Sequence, residues 1–195
     1  MPPYNRPSSS TDTPYFTAAK KAGKVYEDLV AFAFASEYDS HDIAPDRKFS
    51  EYDIRWKKLM ENALKITTGE IKADLRAYET GNICIEYETK NQPVSAGGSG
   101  ITCSRADLWF QFIHNFDPNA TEIEFFMIPT DKLREIISEY SLRTVWGGTD
   151  NASHMYLIPH KMADLQDYRY SVDLTQVPED LLLRLRDIPK LKVSK

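Results

Sequence analysis

The strongest constraint on how this chain folds is a run of three segments with the periodicity of β-strands. They are residues 49–56, 65–76 and 83–88. In the first segment Tyr52, Ile54 and Trp56 alternate with Asp53 and Arg55, which is the two-residue period of a half-buried strand. A turn sequence at residues 80–82 separates the second segment from the third. Three strands in succession predict a β-sheet at the centre of the domain.

A helix is the competing interpretation of the first segment. Ser50 and Asp53 have the spacing of a capping box, and residues 57–64 are good helix formers. The alternation of apolar and polar residues over 52–56 favours the strand.

Helical patterns lie on both sides of these segments. Apolar residues recur at three- and four-residue steps through residues 17–36, and a second helix is predicted from Asp131 to Tyr140 with Thr130 as its N-cap. The other predicted elements are a loop at 42–47, a mobile loop at 90–100, a hairpin of 107–114 and 122–128, an exposed loop at 146–150, a strand at 155–158 and an amphipathic helix at 178–186. This order predicts a mixed α/β (α+β) domain.

Length and composition fit one globular domain of 195 residues. Residues 1–16 are rich in Pro, Ser and Thr, so we expect a flexible N-terminal arm, not a signal peptide, followed by a single domain at 17–195. No apolar run reaches the roughly 20 residues of a membrane helix. The two cysteines are too few for a disulfide scaffold, and the expectation is reduced thiols in a cytoplasm, with Cys84 in the core.

The overall charge is acidic. A net charge of −5 and an isoelectric point near 5.4 argue against non-specific coating of nucleic acid. They do not exclude a nuclease, because carboxylates that bind metal add negative charge where phosphate is cut.

Asp53, Glu70 and Lys72 form the candidate catalytic set. Glu70 and Lys72 are two residues apart, so on a strand they point to one face while Ile71 points to the core. Asp53 is predicted in the middle of its own strand, on the polar face. Two carboxylates and an ammonium group converge if these two strands pair.

This set suits the hydrolysis of a phosphodiester. Asp53 and Glu70 are hard oxygen ligands for Mg²⁺ or Mn²⁺, with water and phosphate completing the shell. Such a cation neutralises phosphate and acidifies water. Lys72 would orient or activate the attacking water, with its pKa lowered by desolvation. On spacing alone the usual interpretation of this pattern is a solvated ion pair.

A second register uses the same residue types. Asp74, Glu86 and Glu88 repeat the acidic spacing, with both glutamates expected on one face of a neighbouring strand. These residues can equally be an exposed acidic strand face.

Several motifs extend beyond the charged set. They are Glu70-Ile-Lys-Ala-Asp74, Thr80-Gly-Asn-Ile-Cys-Ile-Glu86, Ser99-Gly-Ile101, Ala106-Asp107, Phe126-Met-Ile-Pro129, Gly147-Gly-Thr-Asp150 and Tyr156-Leu-Ile-Pro159. Together they resemble a group of PD-(D/E)XK nuclease-like proteins common in phages, over about residues 49–159. The resemblance implies a restriction-endonuclease-like core, which is a mixed β-sheet flanked by helices, and metal-dependent cleavage of DNA. It implies Asp53 and Glu70 as metal ligands and Lys72 as the catalytic lysine.

Further candidates surround this set. Members of the superfamily often place a glutamate of the first helix near the metal, which makes Glu27 a candidate, although a solvated helix surface explains it too. Ser99, Thr102, Ser104 and Arg105 follow a Gly-rich loop and are candidates for binding the phosphates of nucleic acid.

The sequence therefore predicts a Mg²⁺- or Mn²⁺-dependent deoxyribonuclease that is encoded by a phage and is located in the cytoplasm of the host cell. Paired cuts on a duplex would favour a homodimer. The alternative is a catalytically silent binding or regulatory protein with the same fold. The charged set favours the enzyme, and the acidic charge favours the alternative.

Overall fold

A computed structural model describes residues 14–43, 52–61, 63–114, 117, 119–147 and 151–188. The helices are α1 (Pro14–Ala33), α2 (Ala77–Thr80), α3 (Thr130–Glu139), α4 (Ala163–Gln166) and α5 (Glu179–Arg186). The strands are β1 (Ser40–Ile43), β2 (Ile54–Met60), β3 (Ala63–Asp74), β4 (Asn82–Thr89), β5 (Leu108–Ile113), β6 (Glu122–Pro129), β7 (Arg143–Gly147), β8 (Ser153–Pro159) and β9 (Arg169–Asp173). Short 3₁₀ turns occupy Val94–Ala96, Gly100–Thr102 and Leu174–Gln176.

The main sheet has six strands in the order β1-β2-β3-β5-β6-β9. Strands β3 and β5 are parallel, and the other neighbours are antiparallel. Strands β2 and β3 form a long hairpin in which Ile54 pairs with Gly69 and Met60 pairs with Ala63. This mixed sheet with helices packed on it confirms the predicted α/β class and is consistent with a restriction-endonuclease-like core.

A second, three-stranded sheet has the order β4-β8-β7 and is antiparallel throughout. The second register, Asp74 with Glu86 and Glu88, requires β4 to be a neighbour of β3. This expectation is wrong, because β3 pairs with β2 and β5. The turn that leads into β4 is confirmed, with Gly81 in the left-handed region at φ 73°. The short helix α2 before that turn was not predicted.

Two apolar clusters cover the two faces of the main sheet. On one face, α1 and α5 pack against β3, β5 and β6 through residues such as Leu29, Ile71 and Phe110. On the other face, α3 and the second sheet pack against β5 and β6 around Trp109 and Ile158. The aromatic residues of β5 are therefore core.

Several element boundaries differ from the sequence predictions. Residues 57–60 belong to β2 and residues 63–64 to β3, so the helical interpretation of that segment is wrong and the strand is confirmed. Asp42 and Ile43 belong to β1 and not to a loop. Trp146 and Gly147 belong to β7. Tertiary pairing outweighs local propensity in each of these segments.

The predicted N-cap of α3 is also wrong. Pro129 occupies the cap position, and Thr130 is the first helical residue, with its hydroxyl buried and without a hydrogen-bond partner among the described residues. The proline φ of −51° is already close to a helical value, which explains how the helix begins there without a side-chain cap.

Some predictions lie outside the described residues. These are residues 1–13 of the predicted arm, residues 44–47 of the first loop, Phe49 and Ser50 of the first strand segment, and residues 148–150 of the predicted exposed loop. Among the helices that are described, none is long and apolar enough to span a membrane.

Candidate active site

Strands β2 and β3 bring the three predicted catalytic residues together. Asp53 lies one residue before β2, not in the middle of the strand as the sequence suggested. Its backbone amide still donates to the Gly69 carbonyl at 2.8 Å, which continues the pairing of Ile54 with Gly69. Glu70 and Lys72 follow on β3 and share one face, while Ile71 is buried in the core on the other. The local period of β3 therefore sets the direction of both charged side chains.

Gly69 lets the aromatic core approach the site closely. A Cβ atom at this position would lie 2.9 Å from ring atoms of both Trp56 and Phe110. The two rings are themselves packed together, with centroids 5.7 Å apart. The residue before Glu70 is thus held against two buried rings, which fixes the backbone of the site.

The three charged groups are in direct contact. The Lys72 ammonium group forms an ion pair with Glu70 and lies 4.0 Å from an oxygen of Asp53. The same Asp53 oxygen accepts a hydrogen bond from the Ile71 amide at 2.6 Å. The Glu70 side chain is only 11% exposed, whereas that of Lys72 is 39% exposed. The set therefore has one open side, at the lysine.

Burial and neighbouring charge shift the pKa values of this set. Burial raises the pKa of the Glu70 carboxyl, the Asp53 charge adds to this, and Lys72 together with a hydrogen bond from Ser104 opposes it. Burial lowers the pKa of Lys72, but the charges of Glu70 and Asp53 outweigh burial and raise it above its ordinary value. In the ion-paired state the pKa of Lys72 is thus raised, whereas the expected lowering by desolvation concerns a site that holds a cation and stays a prediction.

A cleft of about 310 Å³ opens between the main sheet and the second sheet. Lys72 and Asp74 line it from β3, Trp109 and Gln111 from β5, and Glu86 from β4. The Lys72 ammonium lies 5.8 Å from the centroid of the Trp109 ring. The accessible end of the lysine thus faces a cavity of the size of a small ligand site.

Glu27 of α1 lies close enough to Asp53 for their charges to interact. Its side chain is 21% exposed and is paired with Lys24 at 3.0 Å. Burial raises the Glu27 pKa most, and the charge of Asp53 raises it further. Glu27 is therefore half-buried and paired with an exposed lysine, and its place near a metal stays a prediction.

The second register is only partly assembled. Asp74 and Glu86 line the cleft with Lys72, but Asp74 is occupied by the Arg76 and Cys84 amides, each at 2.9 Å. A β-bulge separates Glu86 from Glu88. The Glu88 carboxylate binds His154 at 2.8 Å. Because of the bulge, the expectation that both glutamates share one face is not met.

The four candidates of the Gly-rich loop have different surroundings. Thr102 donates its hydroxyl hydrogen bond to the Tyr87 carbonyl at 2.8 Å, and the Ser99 hydroxyl is buried. Ser104 is buried and bonds Glu70, so it supports the charged set and does not face solvent. Arg105 is exposed. Thr102 and Arg105 are the exposed residues of the four, and because the Thr102 hydroxyl is already bonded to Tyr87, Arg105 is the stronger candidate for contact with a phosphate.

Gly100 fixes this loop against β4. Its φ is 51°, and a Cβ atom would lie 2.2 Å from the Glu86 carbonyl oxygen. Arg134 of α3 holds the same loop from the other side by donating to the Ile101 carbonyl at 3.1 Å and the Ser104 carbonyl at 2.6 Å. Sequence reasoning missed Arg134, because an arginine on a helix surface carries no signal of its distant partners.

Both cysteines are free thiols, as expected, but Cys84 is not in the core. It is half-buried and lines the cleft. Burial, with the charge of Asp74, raises the pKa of its thiol to about 12, so it stays protonated.

The donor set of the site fits a divalent cation only in part. Within the described part of the chain, no group of three or more His, Cys, Asp or Glu residues is arranged to hold a metal ion. Two carboxylates do converge, however, and burial together with the charge of Asp53 raises the pKa of Glu70 despite the ammonium group beside it. An added cation would relieve this repulsion, with water and a phosphate supplying the remaining oxygen ligands.

Comparison with known proteins adds little. No protein-family model and no curated protein matches the chain. A solved structure of a nuclease from a fusselovirus is similar over 95% of this chain and 96% of its own, with 15% sequence identity and a TM-score of 0.36. Agreement at this level gives no basis for transferring an activity, so the site is interpreted from its own geometry.

Proposed function

We propose that the chain is a nuclease that hydrolyses phosphodiester bonds of DNA with the help of Mg²⁺ or Mn²⁺. The observation that carries this proposal is the contact of Asp53, Glu70 and Lys72 beside an open cleft. DNA is the substrate class that the family resemblance implies.

Asp53 and Glu70 would hold the cation. When bound, the cation neutralises phosphate charge and makes water more acidic. Hydrogen bonds from the Ile71 amide and from Ser104 fix the orientation of the two carboxylates before any ligand arrives. Such preorganisation lowers the cost of assembling the site during the reaction.

Lys72 acts through its positive charge. Its raised pKa keeps it protonated beside Glu70, so it donates hydrogen bonds to the attacking water or to a phosphate oxygen. In the hydrolysis the water oxygen bonds to phosphorus and gives up a proton, the bond between phosphorus and the leaving ester oxygen breaks, and the leaving oxygen takes up a proton. To act as a general base toward the attacking water, Lys72 would first have to lose its own proton. That loss would require Lys72 to separate from Glu70.

A catalytically silent binding protein is the second candidate. The direct Lys72–Glu70 ion pair favours it, because the pair satisfies the buried carboxylate without a cation. The enzyme and the silent protein differ in turnover and in their need for metal.

The test compares wild type with Lys72→Ala on end-labelled single- and double-stranded DNA in Mg²⁺, Mn²⁺ or EDTA. Cleavage is expected in Mg²⁺ or Mn²⁺ and not in EDTA. It should fall at least about a hundredfold in Lys72→Ala. Lys161→Ala, at an exposed lysine, is the matched control. Circular dichroism checks that each variant is folded.

Three outcomes separate the possibilities. Loss of cleavage in Lys72→Ala with an unaffected control supports the enzyme. Cleavage that persists in Lys72→Ala transfers the activity to Asp74 and Glu86 and rejects the proposed site. No cleavage of DNA or RNA by folded wild type rejects the enzyme in favour of the binding protein.

A further inference from the structure

The hairpin of β2 and β3 extends beyond the body of the sheet. Strand β1 accompanies β2 only as far as the pair Ser40–Lys57. Beyond it the pairs Lys58–Lys65, Leu59–Leu64 and Met60–Ala63 form a two-stranded ribbon, here called the ribbon tip. Two strands without further packing are marginally stable in water, so the tip is a place where a partner can add stability.

Aliphatic side chains cover one face of this ribbon. Leu59 is 73% exposed, Leu64 is 55% exposed and Ile66 is 49% exposed. By the two-residue period these residues lie on the same strand face as Glu70 and Lys72. Six residue pairs separate the end of the ribbon from the site, or about 20 Å. The apolar stripe therefore lies on the same face as the charged set, with Lys57, Arg55 and Thr68 between them.

Two lysines lie directly opposite each other on the other face. Lys58 and Lys65 are a cross-strand pair, and neither forms an ion pair with a residue that the structure describes. Like charges in this position destabilise a hairpin unless an anion lies near both. The acidic Asp39 also reaches the ribbon, where it accepts the Leu59 amide at 2.5 Å. The uncompensated lysine pair on an acidic protein suits a phosphate-bearing partner.

The size of the patch argues against a second copy of the chain as the partner. A stable dimer needs about 800 Å² from each partner, supplied by roughly 20 or more residues. The ribbon tip and the adjoining Ile66 offer four large exposed apolar side chains, with Met60 on the face opposite to the other three. A two-stranded ribbon has, by contrast, the dimensions that the major groove of B-DNA admits, and aliphatic side chains contact thymine methyl groups there.

We infer that the ribbon tip inserts into a groove of a duplex nucleic acid, with Leu59 and Leu64 against base edges and Lys58 and Lys65 at phosphates. This inference rests on the proposed function, since it places the scissile backbone at Asp53, Glu70 and Lys72 while the ribbon holds the duplex. It assigns the duplex form to the substrate and gives the ribbon tip the role of binding it.

Binding without turnover tests this inference. Fluorescence anisotropy in EDTA measures the affinity of the full chain for a labelled 30-base-pair duplex across a series of salt concentrations. The variants are Leu59→Ser/Leu64→Ser and Lys58→Gln/Lys65→Gln, and the matched control is Leu183→Ser, at an exposed leucine of α5. Thermal unfolding checks that the variants fold, and sedimentation velocity gives the oligomeric state of each.

The leucine variant should bind the duplex about tenfold more weakly, the order expected for two lost apolar contacts. The lysine variant should lower the slope of log affinity against log salt by about 2. Unchanged duplex binding in both variants would overturn the inference while a metal-dependent cleavage activity could still stand. If wild type cleaves no DNA but both variants bind the duplex more weakly than wild type, the result supports the role of the ribbon tip and rejects the enzyme. A wild-type dimer that the leucine variant converts to monomers, with equal affinity per chain, would overturn the inference in favour of a second copy.

Discussion

The two ends of the β2–β3 hairpin distribute charge and apolar surface in opposite ways. At the base Glu70 is almost fully buried and in contact with Lys72, whereas at the tip Leu59 and Leu64 are mostly exposed. Most proteins bury the aliphatic residues and expose the charged ones. The stability of the fold explains neither arrangement. A buried ion pair contributes little net stability, and mostly exposed leucines bury little apolar surface. The proposed binding of a cation and phosphate at the base and of a duplex at the tip would account for this inversion.

The two ends also differ in how firmly they are held. The base lies against the Trp56 and Phe110 rings at Gly69, where no space remains for a side chain. Among the residues that the structure describes, the tip is held by its own cross-strand pairs and by the hydrogen bond from the Leu59 amide to Asp39. A rigid base positions catalytic groups, and a lightly supported ribbon can adapt to a partner.

The largest expected effect comes from Glu70→Gln. Loss of the carboxylate should reduce metal-dependent cleavage by about a thousandfold, as for loss of a principal electrostatic group. The exposed Glu135→Gln serves as the control. A fall of less than tenfold in initial rate would contradict a catalytic role for the base.

The same substitution should have the opposite effect on stability. The raised pKa of Glu70 means that the folded state favours the protonated carboxyl, so this stabilisation is present at low pH and is lost as pH rises through that pKa. Glu70→Gln should therefore unfold at higher urea than wild type at pH 7, and the difference should shrink on acidification. Equal urea midpoints at pH 7 would show that the buried carboxylate does not destabilise the base.

A further prediction concerns the pH dependence of stability and His114, which follows β5 and lies beside Asp74 at the C-terminal end of β3. Its amide donates to the Asp74 carbonyl at 3.4 Å, its ring contacts the Tyr26 hydroxyl, and burial lowers its pKa to about 4. The unfolded chain binds a proton near pH 6.5, whereas the folded chain does not until about pH 4. Stability should therefore fall by about 3 kcal/mol between pH 6.5 and pH 4 and be unaffected by this group above that range.

Urea unfolding of wild type and His114→Gln between pH 4 and pH 7 measures this effect. The variant should lose that part of the pH dependence, and His41→Gln, at an exposed position of β1, should keep it. Parallel pH profiles for wild type and His114→Gln would contradict the assignment.

A smaller effect is the cost in unfolding free energy of changing the packing at the base of the hairpin and at its tip. Gly69→Ala should cost about 2 kcal/mol, because the added Cβ overlaps both aromatic rings and overpacking typically has this magnitude. Leu64→Ser at the tip should change the unfolding free energy by no more than about 0.5 kcal/mol. Denaturant titration of both variants makes the comparison, and an equal cost at the two positions would remove the distinction between them.

The charged set was predictable because its determinants are local. The directions of Glu70, Ile71 and Lys72 follow from the two-residue period of a strand, and pairing with the next strand brings Asp53 beside them. The prediction needed only the period and the assumption that consecutive strands pair.

The surroundings of the set were not predictable, because their determinants are distant. Nothing local shows that β4 leaves β3 to join β8, so the Asp74 and Glu86 register was misjudged. Residues 57–60 and 63–64 are helix formers but lie in the β2–β3 hairpin, because cross-strand pairing outweighs propensity. The support of the loop by Arg134 likewise depends on a contact about thirty residues away in sequence.

Binding of Mn²⁺ to the base of the hairpin tests the central claim most directly. Isothermal titration calorimetry would compare wild type with Asp53→Asn/Glu70→Gln, with circular dichroism to confirm that both are folded. The account predicts a saturable Mn²⁺ site in wild type that the double variant lacks. Mn²⁺ binding of equal strength in both proteins, or none in either, would contradict the assignment of these two carboxylates as the metal ligands.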